Sequence, residues 1–156
     1  MQTSAAGVVA VDFQGDLMMS AIRVEAIDHA ERTASLWVTG VAIELGTDDR
    51  QFAYRVLRAW LHGLRDRLGV EETAHFAAQL PELLRGVYYD GWNPSRVPQK
   101  TGAAEFERRF AREAVVSQDD VPKVAVAVTR AIDKLSSPGH LTHALQQLPH
   151  ALRAVL

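Results

Sequence analysis

The chain contains no cysteine. Disulfides, thiolate metal sites and cysteine nucleophiles are excluded outright, and the composition suits a reducing compartment. Nor does charge of one sign dominate: 17 Lys and Arg stand against 19 Asp and Glu, for a net charge of −2. That balance predicts no bulk attraction to nucleic acid or to an anionic membrane. No apolar run approaches the roughly 20 residues a membrane-spanning helix needs, and the first residues carry no basic n-region of a signal peptide. The expectation is a soluble, cytoplasmic protein with no membrane role. Phosphate-binding glycine loops, dinucleotide fingerprints and nucleophile elbows are also missing. No catalytic residue and no cofactor can be assigned, and the reading leans away from an enzyme.

What is present is a globular composition: 156 residues, 47% hydrophobic and 23% charged. A chain of this length buries about 68–70% of the surface its unfolded form exposes, enough for a core without staples. The fold expected is all-α. Residues 1–27 read as an N-terminal tail, and Met18 or Met19 is a candidate for the true translation start. From Asp28 onward the apolar residues recur at helical spacing. Ala34, Trp37, Val41 and Leu45 form one stripe, ended by Gly46. Thr47-Asp48-Asp49 opens a second helix with the stripe Ala53, Leu57, Leu61, Leu64 and Leu68. Two short helices follow, separated by Pro81, which cannot continue a helix but suits the start of one. Asp90–Gly102, with Gly91, Asn93, Pro94, Ser95 and Pro98, reads as a linker. Four more helices are expected beyond it, one opened by Ser117-Gln118-Asp119-Asp120.

The strongest pattern is a duplication. Gln79-Leu80-Pro81-Glu82-Leu83-Leu84-Arg85 returns as Gln147-Leu148-Pro149-His150-Ala151-Leu152-Arg153. Upstream, Leu57, Leu61, Leu64 and Leu68 correspond to Val124, Val128, Ala131 and Leu135. The register between the two stretches slips by one residue, and the slip falls in a loop. The expected organisation is repeat one over 28–89, a linker over 90–102 and repeat two over 103–156. Packed by a pseudo-twofold, the two units form a single compact helical domain. Gln79, Pro81, Gln147 and Pro149 are then structural, with proline setting each corner.

Three runs carry a likeness to a known family: Leu64-Arg65-Asp66-Arg67-Leu68, Ala78-Gln79-Leu80-Pro81, and Leu84-Arg85-Gly86-Val87-Tyr88-Tyr89-Asp90-Gly91-Trp92. With Gly46-Thr47-Asp48-Asp49-Arg50, they resemble the bacterial family catalogued as domain of unknown function 2267. The likeness covers about Asp28 to the C-terminus. It implies an all-helical repeat fold and no activity.

The candidate binding residues are Arg85, Tyr88, Tyr89 and Trp92. Arginine beside tyrosine and tryptophan is the composition of interaction hot spots, and arginine also grips anions. Two uses follow: a non-enzymatic protein-interaction surface, for a partner or for self-association, and a pocket for a small anionic ligand. The competing structural use is an aromatic anchor for the linker, with Arg85 paired to Asp90. Arg55, Arg58, His62 and Arg65 fall on one helix face, which could track phosphates, but neighbouring acids favour a solvated face and nucleic acid is not an expected partner. No metal site is expected. Glu72-x-x-His75 is a single motif where a di-iron bundle needs two, and His140 and His143 share a face without an evident third ligand.

Overall fold

A computed structural model describes residues 24–156; the alternative starts at Met18 and Met19 lie outside them. Among the described residues there is no strand. The helices are α1 (Glu25–Leu45), α2 (Arg50–Arg67), α3 (Val70–Ala77), α4 (Glu82–Tyr89), α5 (Ala103–Ala114), α6 (Val121–Leu135), α7 (His140–Gln146) and α8 (His150–Arg153). Short 3₁₀ turns occupy Pro94–Arg96 and Gln118–Asp120. None of these helices is long and apolar enough to cross a membrane.

The helix ends follow local chemistry, with two corrections to the sequence reading. Gly46 closes α1 in the left-handed conformation at φ 67°, and Asp49 caps α2 by accepting from the Phe52 N–H at 3.0 Å. But α1 starts at Glu25, so residues 25–27 belong to the helix and not to a tail. Asp28 sits inside the first turn, where its charge favours the positive helix end without capping it. Ser117 likewise bonds the Asp120 carboxylate, and the acids after it form a 3₁₀ turn. Helix α6 therefore begins only at Val121, with proline in its first turn.

The two prolines do the same thing in both places. Pro81 (φ −55°, ψ 149°) and Pro149 (φ −54°, ψ 147°) are extended residues at the head of α4 and α8. Their carbonyls accept from the Arg85 and Arg153 N–H groups at 2.8 and 3.1 Å. Gln79 and Gln147 sit in the tight turns just before, their backbone N–H groups bonded to Phe76 and Ala144.

Helix α2 forms the centre. Val56, Leu57, Trp60, Leu61 and Leu64 are fully buried, and α1, α4, α5 and α6 all pack on it. Helix α5 lies on α2, α6 lies on α1, and α3 meets α7. Glycine permits the closest of these approaches. A Cβ on Gly63 would stand 2.6 Å from Phe106 Cε2, and one on Gly40 would stand 3.0 Å from Leu135 Cδ1. The Trp60 indole N–H donates to Thr129 Oγ1 at 3.0 Å, satisfying a buried donor between α2 and α6. Leu152, Val155 and Leu156 bury the end of the chain in the same core.

Candidate functional sites

The aromatic corner sits where α4 gives way to the linker. Arg85 is half-buried and turns toward α3: its Nε donates to the Ala77 carbonyl at 3.0 Å and its Nη2 to the Leu80 carbonyl at 3.1 Å. These carbonyls lie at and just past the end of α3, where backbone acceptors lack helical partners. Tyr88 is fully buried, and its hydroxyl donates to the Thr73 carbonyl at 3.3 Å. Burial pushes that phenol well above the ordinary tyrosine range. Tyr89 and Trp92 are half-buried. Ring centroids step inward from Trp92 to Tyr89 (5.2 Å), Tyr88 (5.3 Å), Phe76 (5.6 Å) and Trp60 (6.1 Å). The corner is thus the outer end of an aromatic chain that runs into the core. Asp90 does not pair with Arg85, as expected from sequence, but with Arg58 at 3.0 Å.

The basic stripe is not solvated, which overturns the sequence reading. Arg65 and His62 are only 5% and 7% exposed. The cause is the set of carbonyls at the end of α4. His62 Nε2 lies 2.7 Å from the Val87 carbonyl, and Arg65 Nη1 donates to the Tyr88 and Asp90 carbonyls. Cations suit that negative helix end. On the other flank, Glu113 of α5 bonds Arg58 at 2.7 Å and His62 Nδ1 at 2.6 Å. Both partners of His62 are acceptors, so a neutral ring donates to only one of them. Arg55 reaches the Ala114 carbonyl at 3.4 Å. The stripe is a polar seam joining α2 to α4 and α5. The sequence signal was present: His62 and Arg65 each follow a leucine of the buried stripe directly. On the exposed face of α5, Glu105 is bonded to Arg108 and Arg109. Those two donors hold its carboxyl below the usual range.

Two further places bring groups together. Leu36 and Ile43 on α1 are 65% and 72% exposed, and Ile27 is 61% exposed. Beside them an open groove of about 580 Å³ runs between α1, α2 and α4. Its walls include Ala34, Val38, Tyr54, Leu83 and Val87, with Glu31 and Arg50 among its charged groups. Arg50 hydrogen-bonds Thr39. The second place is the junction of α3 and α7, where His143 comes against Glu72 and His75. Of the two histidines that share a face of α7, His143 joins the residues of α3 and His140 stays outside the cluster.

The described residues define an all-helical protein in which buried Arg65 and His62 and half-buried Arg85 bond to carbonyls near helix ends. Residues 34–155 match the family described as an uncharacterized conserved protein, DUF2267, and the chain belongs to that family. No curated protein matches it.

Proposed function

We propose that the protein is a non-enzymatic interaction module whose first recognition event is pairing with a second copy of itself through the outer face of α1. The observation that carries the reading is the self-complementarity of that face. At 100° per residue, Asp28, Ser35 and Thr39 lie along its centre, Ile27, Glu31 and Ala34 on one flank, and Leu36 and Ile43 on the other. A twofold axis level with the midpoint between Leu36 and Ile43 sets two copies of α1 antiparallel. Residues of the same flank then face each other, so Leu36 of one copy meets Ile43 of the other. Exposed apolar side chains oppose apolar ones, as an isologous contact requires. The helix is roughly 31 Å long. Its face alone falls short of the ~800 Å² per partner of a standard interface, so dissociation in the micromolar range is expected.

The aromatic corner supports the alternative of an anionic ligand less well, because Arg85 spends two donors on backbone carbonyls. The same reading includes descent from a duplicated unit. Its support is the matched geometry of Pro81 and Pro149, together with the crossed packing of α1 on α6 and α5 on α2.

Sedimentation velocity across a concentration series tests the pairing. Wild type should pass from monomer to dimer, and Ile43→Glu should remain monomeric. Leu36→Glu should weaken the dimer as Ile43→Glu does. A wild type that stays monomeric at all concentrations, or an Ile43→Glu dimer, would overturn the proposal.

A further inference from the structure

We infer that Glu72, His75 and His143 form a binding site for a divalent transition-metal ion of the zinc class, and that the ion clamps α3 to α7. The site is independent of the α1 face. Glu72 and His75 are three apart on α3, so their side chains share a face. His143, on α7, brings its Nε2 to 3.1 Å from Glu72 Oε2. One ligand atom from each of the three residues lies within 4.8 Å of the other two.

The donor set decides the class of ion. Two imidazoles and one carboxylate make a borderline nitrogen-rich site, the set used by zinc where one coordination position stays open. Calcium and magnesium prefer all-oxygen shells and fit poorly here. Copper(II) and nickel(II) also favour imidazole and would compete by affinity order. Bonds of 2.0–2.1 Å in a tetrahedron place donor atoms ~3.4 Å apart. The Glu72–His143 spacing is already near that value. The remaining separations close by side-chain rotation, since His75 and His143 are both exposed.

The surroundings leave room for the ion and for one exogenous ligand. The cluster opens into a cavity of about 360 Å³ lined also by Phe76, Gln79, His140 and Ala144. The fourth position therefore faces a partly apolar space, open to water or a small anion. Glu72 is the least exposed of the pair that touches, at 28% of its side chain against 55% for His143. The carboxylate thus anchors the site and the imidazole of α7 closes it. Because the ligands come from both halves of the molecule, an ion bound here stabilises the folded state over the unfolded one by mass action.

The test uses the full chain, stripped with chelator and titrated with zinc chloride in a non-coordinating buffer. Zinc at a hundredfold excess over its dissociation constant should raise the Tm of wild type by about 8 °C, reversed by chelator. Magnesium should not. X-ray absorption at the zinc edge should show two imidazole shells with nitrogen at about 2.0 Å. His143→Ala and Glu72→Gln should abolish the shift while leaving the metal-free Tm close to wild type, since His143 is exposed and its loss uncovers no core. His29→Ala, outside the cluster, should keep the full shift. A wild-type Tm unmoved or lowered by zinc overturns the proposal, as does a shift that survives in His143→Ala.

Discussion

Arg85 and Tyr88 are three residues apart, yet they serve different parts of the fold. Arg85 closes carbonyls at the end of α3, so Arg85→Ala takes the donor from the Leu80 carbonyl, while Ala77 keeps the Leu80 N–H. A loss of about 1–3 kcal/mol is expected in urea denaturation. Arg85→Lys should recover only part of it, because an ammonium lacks the fork that reaches two carbonyls. Tyr88 gives a pH signature. Its phenol is raised in the folded state, so the neutral form is the one that the fold holds. Its contribution is fully present below the unfolded tyrosine value of about 10 and is lost as pH rises beyond it. Tyr88→Phe should flatten that alkaline loss in a series of melts from pH 8 to 11, at the cost of the Thr73 hydrogen bond at neutral pH. The residue types at this corner were legible in the sequence, and their directions were not. The sequence places arginine beside tyrosine, but whether the guanidinium faces water or a helix end depends on where α3 stops.

At the scale of elements, the apolar stripes predicted the helices well because burial and periodicity act together. Trp37, Val41, Leu57, Leu61 and Leu64 are all inside, as their spacing requires. The starts of α1 and α6 were misplaced, since an acid helps a helix from within its first turn as well as from the cap. The basic stripe on α2 was misread for a related reason. Four cationic or titratable side chains on one face imply water only if no helix end points at them, and here α4 ends on His62 and Arg65. The contact of α2 with α5 rests on an absence that the sequence shows without explaining. Gly63→Ala sets a methyl against the Phe106 ring. The expected result is a destabilisation of about 1–3 kcal/mol by overpacking, despite the better helix propensity of alanine. Gly63→Ala with Phe106→Leu should regain part of it. Equilibrium unfolding of the single and double variants gives the coupling.

For the molecule as a whole, the crossed packing matters more than the order of helices. The first helix of each half lies on the second helix of the other. Trp60 and Thr129 share a hydrogen bond across the halves, and Arg58 and His62 share Glu113. The repeated motif in the sequence did not tell which helices would pack on which, because similar apolar stripes pack equally well on near or distant helices. Glu113→Gln keeps the shape and removes the charge that Arg58 and His62 face. It should lower stability by about 1–3 kcal/mol, read by urea denaturation.

The stretch from Asn93 to Arg96 is exposed and lies between the halves. A protease that cuts after Arg96 would sever connectivity without removing a buried side chain. The two pieces should then stay together through a native gel and separate only in denaturant. Two fragments divided at that stretch and produced apart should rebuild the fold on mixing.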